Sequence, residues 1–353
     1  MRLSENDCKV LAYAYFRGDQ PMSKIAQGCD LPQHVVRRSL ENLIACGFIT
    51  RRVYLNPFRL GYQDYLLLVS TEPDKTRETK LLLEEFKKAP EVAWMGAVGP
   101  NLQYESNVLA RSAAALQSFL ERVMGATGGL RVSKDILLTQ SHTWFVPKFL
   151  SSDQSTHQVR SCSVSDAPVP TDDIDHQILI KMTKPSYTSL SQIGRDLRIA
   201  PSTVAYRFER LKDLGVIAAC GYRIAASHLI GAVPARFRIN LTKPLGVSRS
   251  QIRKLCAVTP GVYYLSEHIG RFDVTIGCRV PHTRDIPTIV DSFRMSLGTL
   301  VGNIEPITDD AAIKPHTYAY SPEDVESSFG PENHDCVSPV TPLRRLASLH
   351  RLG

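Results

Sequence analysis

Residues 4–49 return without a gap as residues 172–217, at an offset of 168 set by the separation of Gly47 from Gly215. The same offset pairs Asp7 with Asp175, Leu11 with Leu179, Ser23 with Ser191, Ile25 with Ile193, Val36 with Val204, Leu43 with Leu211 and Ile49 with Ile217. A chain that carries one unit twice must solve the same local folding problem twice. Its function therefore rests on two copies of one kind of surface.

The second copy shows the pattern more cleanly. Residues 172–184 set Ile174, Ile178 and Leu179 on one helical face, with Thr171 or Asp172 as the side-chain cap. Residues 189–198 form a shorter helix with Ile193 and Leu197 inward. Pro201 then falls in the first turn of a third helix, where its missing N–H costs nothing, and Gly215 suits the left-handed position just past its end.

In that third helix Val204, Phe208 and Leu211 face inward, and Ser202, Thr203, Tyr206, Arg207 and Arg210 lie on the other side. In the first copy Val36, Leu40 and Leu43 face inward, and Gln33, His34, Arg37 and Arg38 face outward. A basic, hydrogen-bonding face on the third helix of a trihelical unit is what reading the major groove of double-stranded DNA requires; a solvated face that binds nothing is the bland alternative. After each glycine the pattern turns strand-like, over 48–54 and 216–224, as in a wing. Arg51 and Arg52 on the first wing and Arg223 on the second are candidate phosphate contacts. The formal charge of +7 suits a polyanionic partner.

Each trihelical unit is followed by a β-α-β-β-α-β pattern: 64–70, 75–89, 92–98, 102–110, 113–124 and 133–143, then 234–241, 248–258, 261–269, 272–280, 284–297 and 304–314. The fold class predicted is α+β. Two winged helix-turn-helix domains (1–61 and 171–231) alternate with two ferredoxin-like domains (62–149 and 232–320). A polar stretch at 150–170 reads as a flexible linker and 321–353 as a flexible tail with a basic end. The bare face of such a sheet must be covered, so pairing between two of them is expected, within one chain or with a second chain.

Several function classes find no support. The eight cysteines include no Cys-x-x-Cys spacing, so neither a zinc ribbon nor a redox motif is assigned, and reduced thiols are expected. There is no Gly-x-x-x-x-Gly-Lys-Ser/Thr loop, no His-Glu-x-x-His and no Gly-x-Ser-x-Gly, so no catalytic residue, metal or cofactor is assigned and the chain is not read as an enzyme. Charged residues Arg2, Glu5, Asp7 and Lys9 break up the amino terminus, and no apolar run is long enough to span a bilayer. A cytoplasmic protein with no membrane partner is expected.

The runs "DDIDHQILIKM" and "SLSQIGRDLRIAPSTVAYRFERLKDLGVI", followed by β-α-β-β-α-β and the hairpin "HIGRFDV" at 268–274, resemble the Lrp/AsnC, or feast/famine, family of transcriptional regulators. The amino half is similar more loosely: its hairpin reads "AVGPNLQY" at 97–104, with no aspartate where the second copy has Asp273. Single-copy members of that family pair through their ferredoxin-like domains and bind an amino acid or other small effector there. The resemblance implies a covalent pseudodimer, further association into a homo-oligomer, and an effector held at Gly270, Arg271, Phe272 and Asp273. The halves also resemble siroheme decarboxylases of heme biosynthesis, whose hairpin resembles His-Asn-Tyr-x-Arg followed by an aromatic strand. Here "YYLSEHIGRFDV" keeps only His268 and Arg271, and the aromatic strand is missing.

Overall fold

The computed structural model describes residues 3–72, 74–98, 103–128, 132–150, 158–184, 189–224 and 233–320. In chain order the elements are α1 (Glu5–Ala14), α2 (Met22–Cys29), α3 (Gln33–Ala45), β1 (Ile49–Leu55), β2 (Gln63–Thr71), α4 (Thr76–Lys88), β3 (Val92–Val98), β4 (Gln103–Ala110), α5 (Ala113–Gly125) and β5 (Val132–Phe145). They continue with β6 (Val159–Ser163), α6 (Asp173–Thr183), α7 (Leu190–Leu197), α8 (Pro201–Asp213), β7 (Ile217–Ile224), β8 (Val233–Leu241), α9 (Leu245–Val258), β9 (Val262–Ile269), β10 (Val274–Val280), α10 (Ile286–Leu297) and β11 (Val301–Lys314). The molecule is a mixed α+β structure in which three helices and a strand, then a β-α-β-β-α-β order, occur in each half.

Local chemistry repeats with the sequence. Ser4 and Asp7 close a capping box on α1, and Asp172 and Asp175 close the matching one on α6, so the first N–H groups of both helices are satisfied by side chains. Asp30 and Arg198, related by the same offset, are the only non-glycine residues with positive φ among those described, at 53° and 56°. Both terminate the second helix of their unit in the left-handed region. Gly47 and Gly215 follow α3 and α8 at φ 70° and 71°, where a side chain would be strained.

The strands after these glycines do not form two separate wings. β1 and β7 pair with each other, antiparallel, from Ile49↔Ile224 to Leu55↔Ile217, as a two-stranded ribbon between the trihelical units. Each strand thereby completes both cores: Ile217 packs with Ile178, Leu179, Val204 and Leu211, whereas Tyr222 and Ile224 pack with Leu11, Val36 and Leu43. Burying both ends of one ribbon in two hydrophobic clusters ties the units into one body.

The β-α-β-β-α-β segments meet edge to edge rather than face to face. The strand orders β5-β2-β4-β3 and β11-β8-β10-β9 are joined by β5–β9 and β11–β3, which closes a ring of eight strands. Closure is possible because β5 and β11 are 14 residues long. The first part of β5 pairs with β2 (Asp64↔Thr139) and its end with β9 (Trp144↔Tyr264), so no edge is left in the ring. Strand alternation then sorts the side chains: Ala235, Phe237 and Ile239 enter the core beneath α9 and α10, and Arg236 and Arg238 point the other way, into a polar interior. There the carboxylate of Glu105 on β4, fully buried, is shared by Arg236 and Arg238 on β8. Pairing between the two halves therefore occurs within one chain.

The segment expected to be a flexible linker is structured where it is described. β6 pairs with β5 (Ser141↔Ser163), Asp166 accepts from Asn56 Nδ2 at 2.9 Å and from the Ser163 N–H at 2.8 Å, and the Val169 N–H donates to Arg59 at 2.8 Å. Its polar residues serve as turn and strap partners, not as solvated spacer. Residues 151–157 and the basic tail from 321 lie outside the described residues. Among those described, no helix is long and apolar enough to cross a membrane, and no group of three or more His, Cys, Asp or Glu is placed to hold a metal.

Candidate nucleic-acid interface and effector cleft

α3 presents Gln33, His34, Arg37 and Arg38 to solvent on the side away from Val36, Leu40 and Leu43. On α8, Ser202, Thr203 and Tyr206 are exposed, Tyr206 to 70%. Arg207 and Arg210 are not on that open face. Arg207 Nη1 donates to Asp172 at 2.7 and 2.8 Å and to Asp175 at 2.9 Å. Arg210 donates to Asp175 at 2.9 Å and to the Pro170 carbonyl at 3.0 Å. Asp175 is completely buried, so these two guanidinium groups neutralise an internal carboxylate, with their side chains 19% and 33% exposed.

The cause is visible at matched positions. Ser39 stands in α3 where α8 has Arg207, and its hydroxyl satisfies Asp7 as Arg207 satisfies Asp175. Ala205 and Tyr206 stand where α3 has Arg37 and Arg38. The arginines of the two copies therefore occupy different positions of their helices and do different work.

The ribbon changes the reading of the wings as well. Arg51 is exposed, but Arg52, on the other face of β1, turns inward over the Tyr54 ring at 5.0 Å. Burial, reinforced by Arg223 nearby, pulls its pKa below the ordinary arginine value. Arg51 and Arg52 thus point to opposite faces of the ribbon, Arg51 exposed and Arg52 half-buried.

At the far end of the ring, the β9–β10 hairpin separates its expected effector residues. Gly270 has φ 145°, and a Cβ there would sit 3.1 Å from Leu137. Phe272 is buried against Leu66 and Leu137. Asp273 accepts from the Leu241 N–H at 2.7 Å, and its carbonyl accepts from the His268 N–H at 2.8 Å. These three shape the hairpin. Arg271 alone lines a cleft of about 240 Å³, together with Ser70, Tyr104, Asp135, Arg238 and Glu305. Its guanidinium lies 2.8 Å from Asp135, while Glu305 lies 3.3 Å from Arg238, so the cleft carries both signs of charge in two pairs. Sequence reasoning missed these partners because they come from distant strands. The signal was the alternation of Arg236 and Arg238 with apolar residues in β8, which marks a strand with one charged face.

His268, kept from the decarboxylase-like motif, is buried between Thr139 at 3.3 Å and Thr275 at 3.2 Å. Burial first, then His142 and Arg238, drives its pKa down to about 3, with Asp64 opposing. It is a neutral structural residue that does not line the cleft.

No protein-family profile matches the chain. Over 146 residues it is 28% identical to an uncharacterized HTH-type transcriptional regulator of Pyrococcus abyssi, and over 146 residues 26% identical to one of Pyrococcus horikoshii. Each alignment takes 41% of this chain and 90% of the relative. The chain is similar to HTH-type transcriptional regulators. Among solved structures, the siroheme decarboxylase NirDL is similar with a TM-score of 0.57 at 12% identity, covering 91% of this chain and 96% of that one. At that identity the likeness is one of fold.

Proposed function

We propose that the chain is a sequence-specific, DNA-binding transcriptional regulator of the Lrp/AsnC type, with two helix-turn-helix units (1–61, 171–231) and two ferredoxin-like units (62–149, 232–320) built as a covalent pseudodimer. The observation that carries this reading is the open outer face of α3, with Arg37 and Arg38 free of any hydrogen bond or ion pair among the described residues, matched by the open donor face of α8 at Ser202, Thr203 and Tyr206. Arginine forks suit guanine edges or phosphates, and hydroxyls suit base or backbone contacts. Because the open face of α3 carries Arg37 and Arg38 whereas that of α8 carries the uncharged Ser202, Thr203 and Tyr206, the operator is an imperfect palindrome in which the α3 half-site contributes more of the electrostatic affinity. The test is a gel shift over a salt series on DNA flanking the gene. Binding that weakens with salt and is lost on charge removal from α3 supports the reading; absence of binding at low salt overturns it.

The hairpin cleft would hold an amino acid as effector, its carboxylate toward Arg271 or Arg238 and its ammonium toward Asp135 or Glu305. Association into a homo-oligomer would use surfaces outside the closed ring.

One observation favours a second reading. The overlay with NirDL spans nearly the whole chain, and that protein has also been solved in co-complex with an iron-uroporphyrin III analogue. A siroheme decarboxylase-like activity is tested by incubating the purified chain with siroheme and measuring released carbon dioxide and the change in tetrapyrrole absorbance. Unchanged spectra exclude it.

A further inference from the structure

Where the ribbon meets the ring, the structure gathers cations that its own carboxylates do not neutralise. Arg52 and Arg223 lie diagonally on one face of the ribbon, because Arg52 pairs with Gly221 and Arg223 with Thr50. Neither makes a hydrogen bond or ion pair among the described residues, and Arg223 stands close enough to repel Arg52. Arg279 of β10 joins them around Tyr15. One of its N–H groups donates to the Ile224 carbonyl at 3.0 Å, and Nη1 is buried without a hydrogen-bond partner among the described residues. The nearby carboxylates are already committed, Asp64 to His142 at 2.7 Å and Glu105 to Arg236 and Arg238.

Facing this cluster is an aromatic floor. Trp94 stacks on His316 at 5.7 Å and carries the Arg236 guanidinium over its ring at 4.7 Å. Trp144 stacks on His142 at 5.7 Å and touches Tyr54 of the ribbon edge-on at 5.5 Å. Arg52, Arg223, Trp94, Trp144 and His142 are only half-buried and His316 is exposed, so solvent enters here. Yet burial, followed by Arg52, Arg223, Arg236 and His142, holds His316 well below the ordinary histidine range. Half-buried cations of the ribbon and half-buried rings at the strand ends meet through Arg52, Tyr54 and Trp144, which makes this junction a recess and not an outer face.

We propose that this recess is a binding site for a flat aromatic ligand bearing two or more anionic groups, the ring system resting on Trp94 and Trp144 and the anions held by Arg52, Arg223 and Arg279. Unpaired guanidinium groups in a partly desolvated site lack the counter-charge that would make them comfortable, and a polyanion supplies it. Both ring stacking and cation–π contact favour an aromatic carrier over a small inorganic anion. The site lies at the opposite end of the ring from the hairpin cleft, since it is built on the ends of β5, β10 and β11 and the start of β3. It does not depend on the DNA-binding reading.

The chain's two tryptophans both line the recess, so intrinsic fluorescence reports on it directly. The probe is pyrene tetrasulfonate, compared with neutral pyrenemethanol and with sulfate alone. Saturable quenching by pyrene tetrasulfonate is expected, weakened by about tenfold or more in Arg52→Gln and in Arg223→Gln through loss of a charge-assisted contact, and unchanged in Lys80→Gln, which removes an exposed charge from α4. Thermal melting of each variant separates lost binding from lost folding, and Arg223, which holds no internal bond among the described residues, is the variant expected to melt as the parent does. Equal quenching by the neutral analogue, equal affinity in Arg223→Gln, or no quenching in the parent overturns the proposal.

Discussion

Arg207 of α8 lies 2.9 Å from the buried carboxylate of Asp175 on α6, in a helix where the matching residue of the first copy is a serine. This contact holds α6 against α8 and turns the Arg207 guanidinium onto an internal carboxylate. It also leaves the two copies with different outer chemistry on the same frame.

Replacing Arg207 by Ala leaves Arg210 as the one cation on Asp175 and leaves Asp172 with its capping contacts alone. The expected cost is about 2–3 kcal/mol of stability, below that of a fully buried pair because the Arg207 side chain remains 19% exposed. Ser39→Ala in the first copy, which removes a neutral donor, is expected to cost only about 1 kcal/mol. Urea denaturation of the two variants gives the comparison directly, and equal losses would contradict it.

Arg37→Ala and Arg38→Ala should behave in the opposite way, with melting unchanged and DNA affinity reduced. A base-reading arginine is expected to be worth about 1–3 kcal/mol, and each lost phosphate contact lowers the salt slope by about one. Titrations at several salt concentrations separate the roles. Full retention of affinity in the double variant would remove α3 from the interface.

His268 sets a pH dependence of stability. Its value when folded is about 3, against 6.5 when free in the unfolded chain. Between those limits the unfolded chain takes up a proton that the folded chain refuses. Stability therefore is complete above 6.5 and falls as pH drops toward 3. Denaturation midpoints at neutral and mildly acidic pH should differ in the parent and differ less in His268→Gln, which keeps a polar group between Thr139 and Thr275.

Gly221 is the point at which the ribbon touches α1. A Cβ there would sit 1.9 Å from the Tyr15 carbonyl oxygen, a backbone atom that cannot step aside. Gly221→Ala is expected to destabilise the chain by about 1–3 kcal/mol through forced displacement of the ribbon. Gly246→Ala, where nothing lies within 4 Å, is the control, and calorimetry of both shows whether the close approach matters.

Much of the local structure was legible. The cap at Asp172, the first-turn Pro201 and the left-handed Gly215 stand where the pattern put them. The inward sets Val36, Leu40, Leu43 and Val204, Phe208, Leu211 are buried as their spacing implies. Of the residues expected to face outward, those on α3 are open to solvent, whereas Arg207 and Arg210 turn onto Asp175, because helical periodicity shows which side a residue is on but not whether a carboxylate from another helix waits there. In the β9–β10 hairpin, Phe272 and Asp273 make internal contacts while Arg271 opens onto the cleft, whose other charged residues Asp135 and Glu305 gave no local sign.

The sequence by itself determined the doubled plan, the helix limits and the faces each element buries, since caps, periodicity and glycine conformations act over a few residues. Only the tertiary structure decided that β1 pairs with β7, that the long strands β5 and β11 close one ring within a single chain, and which arginines are spent internally. Those outcomes depend on groups far apart in the chain, such as Glu105 with Arg238 or Arg52 beside Arg223, whose charges interact only after folding has brought them together and stripped away their water.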